Sequence, residues 1–248
     1  MTKLDRTTTD TSKSTVIQEP ELKDSNGNYD PYLIAKAAIS YLIPYTNEKV
    51  RDYSEDIATV AQYMMLEALK GKYGLDWEND PNFTETPRRV AKSVVNDMCK
   101  GINSEKKIKS ILSKTFPTSH KDLVASGPIE FYGLCPHHFF PVRYKCFFGY
   151  IPKGTAIGLS KIPRTIKLYG SQPILQEDLT NNYIKIFENT IDNYGCIFLV
   201  KGQHGCMTCR GAEVGHDYWV TSISKTGSFS NTNGVALNEF FTLIGENI

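Results

Sequence analysis

The sequence predicts an α+β fold in which helices come first and two antiparallel hairpins follow. Three observations predict it. Apolar residues recur at the helical spacing i, i+3, i+4 up to about residue 100. From about Asp122 the pattern changes to the alternation expected of strands. Beyond that point the order reads β-β-α-α-β-β, two hairpins around a helical pair, approximately symmetric and without an obvious internal repeat.

Residues 1 to about 30 are rich in Thr, Ser, Lys, Asp and Asn. They offer too little apolar surface to offset ordering entropy, which predicts a mobile tail. Asp30-Pro31 is a cap and first-turn pair. Leu33, Ile34, Ala37, Ala38, Tyr41 and Leu42 then predict a helix over 31–43, ended by Pro44. A second helix is expected over 54–70, with Ile57, Val60, Ala61, Met64, Met65 and Ala68 on its apolar stripe and Gly71 and Gly74 ending it. Met64 and Met65 read as core filler. Residues 76–81 read as loop. Thr86-Pro87 opens a third helix running to Gly101, with Arg89 and Lys92 on one face. A solvated face is the ordinary fate of such a pair.

Strands are expected over 122–132 and 142–151. In the second, Val142, Tyr144, Cys146, Phe148 and Tyr150 alternate with Arg143 and Lys145. Helix follows Pro163 and returns over 173–193, stopping at Gly195. Residues 196–202 read as a buried strand and 218–224 as its partner. These readings divide the chain into a tail over 1–30, a helical region over 31–110 and a mixed domain over 111–248.

Composition narrows the function. Of 248 residues, 40% are hydrophobic and 22% charged, which is ordinary for a soluble globular protein. A net charge of +1 argues against a nucleic-acid binder. No apolar run reaches membrane-spanning length. The opening residues lack the apolar core of a signal peptide, so a cytoplasmic location is expected. Six scattered cysteines fit a reducing compartment and metal use better than a disulfide scaffold.

The chemistry concentrates in two short stretches, Cys135-Pro136-His137-His138 and His204-Gly205-Cys206. Each lies in a connection between two expected strands. Thiolate and imidazole are zinc donors, and Cys-x-x-His lets both reach one ion from a tight turn. Three protein ligands would leave the fourth position open, as in catalytic sites; His137 and His204 would then be free for proton transfer. Cys206-Met207-Thr208-Cys209 allows the alternative, a closed structural site of Cys135, His138, Cys206 and Cys209.

Over roughly residues 53 to 248 the chain resembles GTP cyclohydrolase I. The motifs that carry the resemblance are Thr86-Pro87-Arg88-Arg89-Val90-Ala91-Lys92, the two metal-type clusters, Gly158-Leu159-Ser160-Lys161-Ile162-Pro163-Arg164, Gln176-Glu177-Asp178-Leu179-Thr180, Arg210-Gly211 and Thr221-Ser222. Together and in this order they are specific, and they favour the catalytic zinc. The resemblance implies a zinc enzyme that opens the guanine imidazole ring of GTP to give 7,8-dihydroneopterin triphosphate and formate, in pterin biosynthesis. It implies Cys135, His138 and Cys206 as zinc ligands and His137 and His204 as the proton-transfer pair. Glu177, with Gln176 beside it, would take the guanine. Ser160, Lys161, Arg164 and Arg210 would take the ribose and triphosphate, and Arg89 and Lys92 the triphosphate of a neighbouring subunit's site. It further implies the tunnelling fold, ββααββ units closing into a barrel by oligomerisation, usually a decamer of two stacked pentamers. Two positions depart from the family pattern. Pro136 stands where well-known members carry Glu, and Cys209 stands where no family ligand is expected. The competing readings are a relative of the same fold acting on another purine or pterin, and a non-catalytic module holding a structural zinc.

Overall fold

The structure, a computed structural model, describes residues 54–245 together with Ser25 and Leu33. The tail expected over 1–30 and the helix expected over 31–43 otherwise lie outside the described residues.

The described chain opens with α1 (Ser54–Tyr73), running past Gly71 and ending where Gly74 takes a positive φ of 71°. A 3-10 turn at Pro81–Phe83 leads to α2 (Thr86–Lys92), whose first turn holds Pro87, where no N–H is needed. The helix expected to run unbroken to Gly101 widens into a π-helical turn over Ser93–Met98. α1 packs against α2, but along α1 only Leu66 is buried. The expected core stripe is therefore corrected: Met64 and Met65 are each about half exposed. The reason is that the spacing marks an apolar face, and no described element covers that face.

α3 (Glu105–Leu112) was not anticipated. Its signal is a single buried pair four residues apart, Ile108 and Leu112, among lysines. A two-stranded ribbon follows, β1 (Thr115–Pro117) paired antiparallel with β4 (Thr155–Ile157). These are too short to show alternation.

The main sheet has four strands, β2 (Val124–Leu134), β3 (Pro141–Pro152), β5 (Asn193–His204) and β6 (Val220–Lys225), in that spatial order and all antiparallel. Between β4 and β5 come α4 (Lys161–Gly170) and α5 (Gln176–Glu188). The expected β-β-α-α-β-β order is thus present as a mixed helix and antiparallel sheet. α4 starts two residues before Pro163, which falls in its first turn and costs no helical bond there. A short α6 (Gly205–Thr208) and α7 (Val235–Ile244) complete the order.

Alternation along β3 and β5 gives the sheet two apolar faces. Val142, Tyr144, Cys146, Phe148 and Tyr150, with Cys196, Phe198 and Val200, join one core. α3, α4 and α5 close it with Ile108, Leu112, Ile162, Ile166, Leu179, Tyr183 and Phe187. Phe148 is central, its ring centroid 4.7 Å from that of Phe187 and 5.7 Å from that of Tyr183. On the opposite face Phe147, Ile197 and Leu199 meet Leu237 and Phe240 of α7. Among the described residues, no helix is long and apolar enough to cross a membrane.

Candidate active site

Sheet register brings the two cysteine-histidine clusters together. Leu134 pairs with Pro141 across β2 and β3, so residues 135–140 form a tight loop at one end of the sheet. The loop is closed by the N–H of Cys135 donating to the carbonyl of Phe140 (2.9 Å) and that of Phe139 donating to the carbonyl of Cys135 (2.8 Å). Neither bond asks for an N–H at Pro136. On the other side Val142 lies opposite His204, so β5 ends beside this loop and α6 begins there. The start of α5 is tied to the same place, because the N–H of Ile174 donates to the carbonyl of Leu134 (3.2 Å). Gln176 and Glu177 follow immediately on α5.

The result is a cavity of about 250 Å³ lined by Cys135, His137, His138, Gln176, Glu177, His204 and Cys206 among others. Within it the Sγ atoms of Cys135 and Cys206 stand 4.0 Å apart. The Nδ1 of His137 is also 4.0 Å from the Sγ of Cys135. Ligand atoms of Cys135, His204 and Cys206 all lie within 4.8 Å of one another, the metal-capable gathering found among the described residues. His138 borders the cavity with an exposed ring but is not part of that gathering; His204 stands in it instead. Cys209, at the end of α6, is exposed and outside it.

The donor set suits zinc. A tetrahedral zinc with Zn–S bonds of about 2.3 Å holds two sulfurs roughly 3.8 Å apart, close to the separation of Cys135 and Cys206. Burial raises the Cys206 thiol pKa, and the neighbouring Cys135 raises it further, so without a cation the Cys206 sulfur stays protonated more readily. Burial lowers the pKa of His204 and the Glu177 carboxylate partly opposes it, so the ring is neutral near pH 7.

Gln176 is 2% exposed. Its Nε2 donates to the carbonyls of Val200 (3.1 Å) and Val220 (2.9 Å) and reaches the hydroxyl of Ser222 (3.2 Å), while its Oε1 lies 2.9 Å from the Nε2 of His204. The side chain expected to touch substrate is thus engaged inside the protein. Sequence reasoning passed over Tyr144, whose fully buried hydroxyl has no hydrogen-bond partner among the described residues. Burial raises its pKa, with Cys146, Cys135 and Glu177 adding to the shift. Alternation marked Tyr144 as inward-facing, but nothing in the sequence marked its hydroxyl.

The expected phosphate-binding residues do not line the cavity. Lys161 opens α4, with its ammonium bonded to the carbonyl of Lys114 and 5.3 Å from the Phe116 ring centroid. Ser160 and Arg164 are exposed beside it. Arg210 is exposed just past α6, near enough for its charge to act on the Cys206 thiol. Arg89 and Lys92 are exposed on α2.

Fold and cavity together define a class: a mixed helix and sheet protein that gathers thiols, imidazoles and a carboxylate at one sheet end, a set able to hold a metal and move protons. Comparison with known proteins narrows the class. The family model of GTP cyclohydrolase I matches residues 63–245. GTP cyclohydrolase 1 of Halalkalibacterium halodurans is 35% identical over 188 residues, 74% of this chain and 93% of that protein. The Clostridium perfringens protein of the same name is 38% identical over 133 residues, 54% of this chain and 70% of that one. That of Finegoldia magna is 32% identical over 169 residues, 67% and 89% respectively. The chain belongs to the GTP cyclohydrolase I family of enzymes.

Proposed function

We propose that this chain is a zinc-dependent GTP cyclohydrolase I, hydrolysing the guanine imidazole ring of GTP to 7,8-dihydroneopterin triphosphate and formate. The observation that carries the reading is the cavity in which Cys135 and Cys206 meet imidazoles directly beside Glu177. In this reading Cys135, Cys206 and one imidazole, His138 by resemblance, hold the metal. A zinc ion held there supplies Lewis-acid activation of water near neutral pH.

The remaining steps belong to the chain. The Glu177 carboxylate, on the first turn of α5, accepts two parallel hydrogen bonds from the N1–H and exocyclic amine of guanine, a donor pair that adenine lacks. His137 and His204 carry the protons: one to N7 as water adds at C8, and one to N9 as the C8–N9 bond breaks. Ser160, Lys161, Arg164 and Arg210 bind the ribose and triphosphate, the arginines as bidentate forks. A second water then hydrolyses the remaining N-formyl group to release formate, and ribose rearrangement and a ring closure that gives back one water follow in the same pocket.

Assembly is part of the proposal. We read residues 111–248 as the catalytic tunnelling-fold domain and 31–110 as a helical region before it. Subunits close their sheets into a barrel, with ten chains in two stacked pentamers and Arg89 and Lys92 serving a neighbour's triphosphate. The outer edges of β2 and β6, which pair with no further strand among the described residues, and the position of Arg89 and Lys92 outside their own cavity support this arrangement.

The test is incubation of the purified protein with GTP, scoring formate and a fluorescent oxidised pterin, beside a zinc assay. Both products with about one zinc per chain are expected. Zinc without either product would point to the structural-site reading.

A further inference from the structure

The hydrogen bond between Gln176 and His204 has a direction that its surroundings dictate. The Gln176 amide could be turned either way about its last bond. One end faces the carbonyl oxygens of Val200 and Val220, which can only accept. That end must be the nitrogen, and the other, 2.9 Å from the Nε2 of His204, must be the oxygen. The neighbouring hydroxyls agree with this orientation. Thr180 donates to the backbone carbonyl of Gln176 (2.6 Å), so the Ser222 hydroxyl donates to Thr180 (2.7 Å) and turns a lone pair to Gln176 Nε2, whose two hydrogens are shared among three acceptor oxygens. Every polar atom of the amide is thereby assigned. An oxygen facing Nε2 requires a hydrogen on that nitrogen. The neutral His204 ring is therefore the Nε2–H tautomer, and its lone pair is on Nδ1.

A second observation concerns Gly202. It lies on the same face of β5 as His204, two residues earlier, and a Cβ built there would fall 2.3 Å from Gln176 Oε1 and 3.2 Å from His204 Nε2. No side chain larger than hydrogen fits at 202 while that bond exists.

We infer that Gln176 is a positioning residue that fixes the orientation of the His204 ring and holds its hydrogen on Nε2, so that the Nδ1 lone pair is the one turned away from the amide, and that Gly202 is the space this bond needs. The inference deepens the proposed reaction and rests on it for its catalytic meaning. The tautomer itself does not depend on that reading. No proton passes through Gln176. It differs from Glu177, next in sequence, which faces the cavity with an exposed carboxylate.

The first test needs no substitution and no activity. Long-range proton–nitrogen NMR of the full-length protein, labelled with nitrogen-15 histidine, reads the tautomer directly. The His204 signals are those missing from His204→Asn. Protonated Nε2 with an unprotonated Nδ1 is expected; a ring protonated at Nδ1 with a bare Nε2 overturns the inference, whether or not the protein turns over GTP. The second test uses Gln176→Met and Gly202→Ala, the latter leaving both bonding groups in place. Each should lower kcat by about 10- to 100-fold, the usual cost of removing such an orienting partner. KM for GTP should stay within about twofold, because the polar atoms of the Gln176 side chain are bonded within the protein and Gly202 has no side chain to offer. A large rise in KM with kcat unchanged would make Gln176 a substrate contact and sink the positioning role. If either variant fails to fold, the tautomer measured in the unaltered protein still decides.

Discussion

At the scale of single residues, the thiols and imidazoles were legible because their spacing is a property of sequence alone. Which imidazole gathers with both thiols was not, because it depends on Val142 pairing with His204 across β3 and β5. The substitutions that matter most follow from that ambiguity. Cys206→Ala should lose both zinc and activity. His204→Ala should keep about one zinc per chain yet lose activity, whereas His138→Ala should lose the metal; the reverse pattern in a zinc assay would exchange their roles. Cys209→Ala, altering an exposed thiol, should keep zinc and most of its turnover. Glu177→Gln puts an amide donor against guanine's own donors. It should lower kcat/KM for GTP by roughly tenfold to a hundredfold, and unchanged kinetics would remove Glu177 from the guanine site. The inward role of Gln176 was not legible, since nothing in a Gln-Glu pair says which member turns into the protein.

At the scale of elements, long patterns could be read and short ones could not. The strands around Phe148 and Phe198 showed themselves by alternation, and α5 by its spacing. α7 carries Leu237, Phe240, Phe241 and Ile244 at helical spacing, a signal present in the sequence but left unassigned. The stripe on α1 was read correctly as apolar but wrongly as buried, because burial depends on partners that a single segment does not reveal. Packing makes two quantitative predictions. Phe148→Ala should cost about 3–5 kcal/mol in urea unfolding, as an aromatic lost from a filled core. Gly170, where α4 meets β2, has no room for a Cβ, which would fall 2.2 Å from the Phe131 ring. Gly170→Ala should therefore cost roughly 1–3 kcal/mol through overpacking. The buried thiols add a pH signature. Burial pushes Cys196 up to about 12 from an ordinary 9.0, and Cys146 higher still. Below pH 9 both folded and unfolded chains keep these protons. Above it the unfolded chain loses them first, so stability should fall as pH rises from 9 toward 12. Denaturation midpoints for the wild type and for Cys146→Ala with Cys196→Ala should converge at high pH; parallel curves would count against these thiols.

At the scale of the whole molecule, the proposed ring makes the active site a property of more than one chain. An inactive Arg89→Ala protein mixed and reassembled with an inactive His204→Ala protein should regain part of its activity, since hybrid interfaces restore some intact sites. No recovery in confirmed mixed oligomers would mean that each chain builds its site alone. The two-faced sheet carries a different consequence, one of timing during synthesis. Ile197 and Leu199 lie in the middle strand pair, but the helix that covers them, Val235–Ile244, is made much later. At 5–20 residues per second, roughly 2–8 seconds separate the two. For that interval the nascent chain carries a bare apolar sheet face and lacks the helix that seals it. Ribosome-bound chains halted near residue 230 should therefore recruit holdase chaperones more strongly than chains halted just past residue 190 or allowed to run beyond 245.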